Sequence, residues 1–563
     1  MLTFPCQRRA RAQSLPMPSP ALQLRAPLLW LLLPLVTGLA AAQQWPAPTC
    51  GLWPFAVGAG CAGLAALGAA WLDRTKLWMT GLFASVGLGG FVLLHARYPG
   101  LHHWESRPPR EITVTLEIWQ PFPVAPRARS LNGLATITAT GEADRELVGR
   151  RVYYSVIRRI SLTPQRSGRY LIQGVLEPLS RDQSAGGFND YLANLGIRHR
   201  LTRARLQSEV TPPDWFRNFC STAQGRWVSI LSQGLAAQPK TLSLYLAMLL
   251  GEKAVLSSEQ QNAFMRSGTF HLFSVSGLHV GVISLALQGL LRLLRLPRRP
   301  AVVVTLSVLW LYVQITGASS PAMRAFLMIA FLLASRVFRL PGNALAALTA
   351  SALVTLLLDP LQLFSTGFQM SYSVVAALIV MGRPLAEQWL ARWKPFALLP
   401  RINWRWWHHA IDARGRWLIG AAAGCWTAFL ASVPSGIGFF GLFSPGSLVA
   451  NLIIIPLSSV AMIAGFISLV CGLAGLLSLS ALCNLVAAVI IRVADLLLQH
   501  GINLPGMFFA ARFRADWLAP ASLALLTAVM LAGAAGRWSP RYGGYWPPFA
   551  VLVLLVIFGV KFG

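Results

Sequence analysis

Apolar runs long enough to cross a bilayer begin near Ala26 and recur to the end of the chain, with one long polar interruption. A spanning helix needs about 20 predominantly apolar residues. Ala26 to Ala42, Trp53 to Trp71 and Leu77 to Leu94 fit, so residues 1–94 are read as N-terminal membrane spans. From His95 to about Trp215 the runs stop and alternation takes over. Glu111 to Phe122, Gly133 to Gly141, Arg150 to Ile160, Arg169 to Leu179 and Arg198 to Gln207 each read as a strand bounded by Pro, Gly and Ser. Five short strands in residues 95–215 suit a small OB-like barrel. Residues 216–269 turn helical and read as a connector. Residues 270–563 then read as a multi-span membrane domain, with spans predicted at Phe270–Leu291, Ala301–Gly317, Ala325–Phe338, Ala344–Leu358, Ser371–Met381, Trp417–Val433, Ser447–Val470, Ala481–Leu498, Trp517–Gly533 and from Pro548 onward. The expected fold class is mainly α: a polytopic membrane helix bundle carrying an inserted extracellular β domain.

Composition removes the soluble-enzyme classes. Of 563 residues, 55% are hydrophobic and 12% charged, too few charges to cover a water-soluble surface. The net charge of +29 (48 basic minus 19 acidic) is almost all arginine, since lysine occurs only at 76, 240, 253, 394 and 561. Arginine suits phosphate groups and anionic lipid headgroups alike, so nucleic acid and the bilayer surface both remain open as partners. Cations gather at Arg292 to Arg299, Arg336/Arg339 and Arg383 to Arg416, at alternate ends of successive spans. That satisfies the positive-inside rule with the β domain outside, except at Arg512 and Arg514. Arg8, Arg9, Arg11 and Arg25 ahead of a run closing at Ala40 to Ala42 fit either a cleaved signal peptide or a retained first helix; the downstream topology is the same. Trp404, Trp406, Trp407 and Trp417 among arginines read as an interfacial amphipathic helix. The cysteines show no CxxC spacing and the histidines no HExxH or HxHxDH pattern, so neither a metal nor a cofactor is expected.

The densest polar cluster in an apolar setting is RSGTFHLFSVSGLH, containing Arg266, His271, Ser274, Ser276, Gly277 and His279. Buried polar groups need partners, so these residues either line a hydrated path or form close small-residue packing, with Gly277 a candidate helix break. A second cluster, ITGASSPAMRA, sets Ser319 at a helix boundary and Arg324 just inside, with no acid nearby in sequence. A helix start already carries partial positive charge, and an anion would relieve both. The stretch DPLQLFSTGFQMS, with Gln369 and Ser371, reads as re-entrant, and FSPGSLVANLIIIP repeats that character around Asn451. Discontinuous segments of this kind commonly line transport pathways.

Taken in order, the RSGTFHLFSVSGLHV, ITGASSPAMRA, GFQMS and FSPGSLVAN blocks resemble the central membrane domain of the ComEC competence proteins, and GFNDYLANLGI resembles the end of that family's outer OB-like domain. The resemblance implies a non-enzymatic inner-membrane channel for single-stranded DNA in bacterial transformation, lined by the polar residues named above. Many family members end in a metallo-β-lactamase-like domain; this chain shows no HxHxDH, so a separate nuclease is implied. The region from His95 to Phe219 also lacks the cysteines for a disulfide found in some relatives.

Moving one phosphate into a negative interior costs about 2.3 kcal/mol per 100 mV, so the strand must be pulled. No glycine is followed by lysine, which excludes a Walker-type loop, so a cytoplasmic motor or DNA-binding protein is implied. Arg150, Arg151, Tyr153, Arg158, Arg159, Arg203 and Arg205 in the outer domain combine cations with aromatics, as sequence-tolerant strand binding does; a solvated basic face is the other reading. Two alternatives of function stand beside the channel: an intramembrane serine hydrolase using Ser276 or Ser274 with His271 or His279, and a transporter of another anionic polymer or lipid.

Overall fold

The computed structural model of the chain describes residues 26–562, apart from 49–50, 103, 106, 123–128, 159–163, 180–186, 252–255, 274 and 341. Three helices open it: α1 (Leu29–Gln44), α2 (Trp53–Trp71) and α3 (Thr75–Arg97). A Cβ on Gly38 of α1 would fall on the Gly87 carbonyl of α3, and one on Gly90 would come within 3.0 Å of the Leu35 carbonyl. In lipid, where apolar contact alone drives no association, such small residues let helix backbones approach closely.

The polar interruption folds as a closed barrel of β1 (Arg110–Pro121), β2 (Ser130–Thr140), β3 (Arg151–Ile157), β4 (Arg169–Pro178) and β5 (His199–Thr211), in the order β1-β2-β3-β5-β4. All pairings are antiparallel except β3 with β5, where Val152 aligns with His199. This is an OB-like barrel, and each strand lies where the alternation predicted it. Inward positions such as Val114, Leu116, Ile118, Val152, Tyr154, Val156 and Ile172 are buried to 1% exposure or less, because a period of two sends every second side chain to the axis. A short helix, α4 (Gly187–Asn194), sits between β4 and β5.

The chain between α3 and the barrel is pinned by buried groups. Arg198 donates to the carbonyl of Leu101 at 2.7 and 3.1 Å and to that of Ala193 at 2.8 Å, with its guanidinium 4.3 Å over Trp104. Burial pulls its pKa down to about 10, which leaves it charged at neutral pH. His199 Nε2 lies 2.5 Å from a Glu105 oxygen, and Arg110 bridges Glu105 and Asp144 at 2.8 Å each. Burial, with Arg150 and Arg110 nearby, holds His199 below its ordinary value despite Glu105; Glu105 is held low by bonds from His199 and Arg110 that outweigh its own burial. Both depressed values carry the same sign: the unfolded chain takes up protons first, so stability falls as pH drops below about 6.5 and falls further below about 4.5. The melting temperature of the detergent-solubilised protein is therefore expected to fall more between pH 7 and 5 than that of His199→Gln. Parallel curves would remove this pair from the pH response.

The membrane part continues with α5 (Trp215–Ser232), α6 (Pro239–Leu250), α7 (Ser258–Arg266), α8 (Gly277–Leu293), α9 (Arg298–Ile315), α10 (Ser320–Val337), α11 (Ala344–Leu358), α12 (Thr366–Ala377), α13 (Arg383–Arg392) and α14 (Trp406–Phe440). After the two-residue β6 (Leu442–Phe443) come α15 (Ser447–Leu473), α16 (Leu477–Gly501), β7 (Phe509–Phe513), α17 (Leu518–Ala535), α18 (Trp546–Leu554) and β8 (Val560–Phe562). Among the described residues eight helices are long and apolar enough to cross a membrane, and the protein is a multi-pass membrane protein.

Three segments differ from their sequence reading. Residues 216–269 do more than connect: Trp227 of α5 stacks on Tyr312 of α9 at 6.0 Å, and Asn484 of α16 bonds the carbonyls of Ile230 and Gln233. The tryptophan-rich stretch is not a separate interfacial helix. It opens the 35-residue α14, which runs unbroken from Trp406 into the apolar span and through Pro434, about 52 Å long against roughly 30 Å of hydrocarbon. The span expected at Ser371–Met381 belongs to a longer helical run from Thr366 to Arg392 with a π turn at Leu378–Gly382. There Trp538 donates to the Val380 carbonyl at 2.8 Å, satisfying a group where the helical ladder is irregular.

Candidate functional site

The RSGTFHLFSVSGLH block is not one helix. α7 ends at Arg266, and Gly268 turns at φ +70 with its Cβ position 2.7 Å from the Ser447 side chain, a place only glycine fills. A 3-10 turn follows at Phe270–Phe273, and α8 begins at Gly277. His279, fully buried, reaches back so that its Nδ1 accepts from the Ser276 amide at 3.0 Å and lies 2.8 Å from Ser276 Oγ. This is the reciprocal half of a capping arrangement. His271 stays on the other side of the break, its Nδ1 3.3 Å from the Gly268 carbonyl.

Arg324 is 2% exposed. Its Nη1 donates to Ser320 Oγ at 2.5 Å and its Nη2 to the Gly367 carbonyl at 2.7 Å, while Nε has no partner among the described residues. Ser319 Oγ donates to the Val275 carbonyl at 3.3 Å, and a Cβ on Gly277 would sit 3.6 Å from Ala325. The N-termini of α8, α10 and α12 therefore meet around one buried guanidinium. Gln369 donates to the Leu363 carbonyl at 3.1 Å within this group, and Ser371 is half-buried one turn beyond Gly367. Arg266 and Asn451 lie on a second seam. The Arg266 carbonyl accepts from Ser444 at 3.1 Å, its side chain lies 5.2 Å over Phe508, and Asn451 Oδ1 is buried without a partner among the described residues. Ser274 and Arg159 fall outside the described residues.

A directional hydrogen-bond chain leads from Arg324 to the barrel. Arg324 donates to Ser320, Ser320 to Gln362 at 3.0 Å, and Gln362 to Asp359 at 3.2 Å. Asp359 also accepts from Tyr98 at 2.7 Å and pairs with Arg151 of β3 at 3.4 Å. The buried arginine thus reaches a carboxylate through two neutral groups. Arg166 of the barrel donates to the Gly317 carbonyl at 3.1 Å, just before α10. The convergence of helix starts accordingly lies on the barrel side of the bundle. Gln362, Asp359 and Tyr98 were not singled out from sequence, and Ser320 stood out only as part of the helix boundary before Arg324. The available signal was that Asp359 is the one acid between Glu259 and Glu387.

The barrel's expected strand-binding residues divide. Arg151, read with the outward cations, points to the junction instead, bonding Tyr98, the Leu195 carbonyl and Asp359 and lying 5.2 Å over Trp119. Arg150 is half-buried beside Gly100. Tyr153 packs on Phe122 and Phe188 at 6.2 and 5.3 Å. Arg158, Arg203 and Arg205 are exposed, and the pairing of Val156 with Ala204 brings the end of β3 beside both β5 arginines.

A bundle with interrupted helices around a buried arginine, capped by an OB-like barrel, defines a class: a multi-pass membrane protein with an inserted soluble domain. A family model described as Competence protein matches residues 248–539, over half the chain, and the chain belongs to that family. It is similar to "ComE operon protein 3" of Bacillus subtilis (29% identity over 37% of this chain and 27% of the relative). It is also similar to "Recombination protein 2" of Haemophilus influenzae (25%, over 48% and 34%) and to "Competence protein ComA" of Neisseria gonorrhoeae (35%, over 24% and 21%). The chain spans about a third or less of the length of these relatives. No solved structure matches.

Proposed function

We propose that this protein is a conduit for single-stranded DNA in the bacterial inner membrane, serving competence with its barrel on the outer face. The observation that carries the reading is Arg324: a cation 2% exposed, at converging helix starts, whose linked carboxylate is three hydrogen bonds away. Burying a charge costs free energy unless it is paired, and helix N-termini add to the positive potential, so the site favours a passing phosphate. Arg158, Arg203 and Arg205 on the barrel would meet the strand first. The inside-negative potential opposes entry, so a cytoplasmic motor or strand-binding protein pulls, and a separate nuclease removes the complementary strand.

The 2.8 Å contact between Ser276 and His279 is the observation favouring a hydrolase. Nδ1 already accepts the Ser276 amide, however, and no carboxylate bonds the ring among the described residues, so capping accounts for the pair. A fluorophosphonate probe should leave Ser276 unlabelled. Deletion of the gene should abolish transformation while DNA still collects at the cell surface; unchanged transformation would end the DNA reading. In reconstituted vesicles, competition by polyphosphate at equal charge would assign the conduit to polyanions in general.

A further inference from the structure

Arg512 and Arg514 break the charge rule that the rest of the chain obeys, and the fold shows their setting. β6, β7 and β8 form a three-stranded antiparallel sheet in which Arg512 stands directly opposite Lys561. The pairs Phe443 with Phe509, Ala511 with Phe562 and Phe513 with Val560 share one face, where Ala511 and Val560 are buried and the Phe443, Phe509 and Phe562 rings lie 6.0–6.4 Å apart. Arg512 and Lys561 occupy the opposite face. Both are exposed, and neither forms an ion pair among the described residues. Like charges directly across an antiparallel pair are destabilising, and among the described residues no carboxylate pairs with either. Exposed Arg514 follows on β7's exit and exposed Arg266 lies over Phe508 at β7's entry, so four cations surround one small sheet. The acid in this region, Asp516, is near enough to Asp190 of the barrel's α4 to act on it electrostatically: the Asp190 carboxyl is pushed up by its own burial and by Asp516. Ser444 donates to the Arg266 carbonyl beside the break before α8, so the sheet lies at the same end of the bundle as the barrel.

We infer that the Arg512–Lys561 face is a second docking surface for the phosphodiester backbone of a nucleic-acid strand, distinct from the barrel edge at Arg158, Arg203 and Arg205. The inference rests on the DNA reading above. Lipid headgroups share the phosphate chemistry. Cations fixed across a two-strand pair, on the side of the membrane where span-flanking cations are depleted and at the barrel's end of the bundle, suit a strand passing from barrel to bundle better than a leaflet.

The test uses the full chain in phosphatidylcholine nanodiscs and a labelled oligothymidine, with affinity measured against salt. Each phosphate contact on a single strand contributes about −0.7 to the slope of log K on log salt. Arg512→Gln with Lys561→Gln should flatten the slope by about 1.4 and weaken low-salt binding. Arg203→Gln with Arg205→Gln should act similarly, the two losses adding. Arg512→Lys should keep the slope, and removing a like-charge pair should leave the melting temperature unchanged or higher. An unchanged slope in the sheet variant, with a loss in the barrel variant, would overturn this surface and leave the DNA reading intact. Loss only of phosphatidylglycerol vesicle binding would also overturn it, in favour of lipid. No oligothymidine binding by the wild type would overturn both.

Discussion

Arg324→Ala is expected to lower DNA passage by roughly 10- to 100-fold while leaving DNA held at the cell surface unchanged. A hydrogen bond to a charged group contributes about 1.5–3 kcal/mol, and about 1.4 kcal/mol is tenfold in rate, so losing the one phosphate contact proposed for Arg324 would account for that range. On the proposed reading, surface retention would fall to the exposed cations outside the bundle, and Arg158, Arg203 and Arg205 bond none of Ser320, Gly367 or Arg324 among the described residues. Arg324→Lys keeps the charge but lacks the planar fork that serves Ser320 and Gly367 together, so it should restore passage only in part. Asp359→Asn removes the carboxylate from the far end of the hydrogen-bond chain and from Arg151 at once. It should reduce passage less than Arg324→Ala, since Arg324 keeps both direct partners. Passage, surface retention and melting temperature are measured together; an equal loss of all three in Arg324→Ala would make the residue a packing element.

Asn484→Leu is expected to produce the largest loss of stability. Asn484 is fully buried and every capacity of its amide is used: Oδ1 accepts from Tyr245 at 3.0 Å and Ser468 at 2.6 Å, and Nδ2 donates to the carbonyls of Ile230 at 2.8 Å and Gln233 at 3.1 Å. Those partners come from α5, α6 and α15, so one side chain ties three elements to α16. Each buried group left unpaired costs about 1–3 kcal/mol, and single interhelical bonds in membranes average about 0.6 kcal/mol. A combined loss of about 3 kcal/mol follows. Tyr245→Phe removes one bond and should cost about 1 kcal/mol or less. Denaturant titration of the solubilised protein checks both, and a leucine variant as stable as wild type would show that the hub is replaceable by apolar packing.

Much of this architecture was legible because it depends on local periodicity. Alternation in β1, β3 and β4 assigned the inward residues of the barrel, and uninterrupted apolar runs located the spans, since bilayer thickness and strand pleat each set a length or period that a sequence displays directly. The break at Gly277 was readable for the same reason: its polar neighbours stand out in an apolar run. The long α14 was less so, because tryptophans and arginines at a helix start look alike whether that start lies in the interface or projects beyond it.

What the sequence determined by itself is the class: a bilayer-spanning bundle, an OB-like insert, and polar stretches too costly to leave in lipid without a purpose. What only the tertiary structure decided is which of those polar groups meet. Arg324 has no acid near it in sequence, yet Ser320 and Gln362 connect it to Asp359, and Arg151 of the barrel turns inward to the same carboxylate. The physical reason is that a buried charge is satisfied by whatever lies within about 3 Å in space. Contacts across 42 or 208 positions of chain leave no periodic trace by which a sequence could announce them.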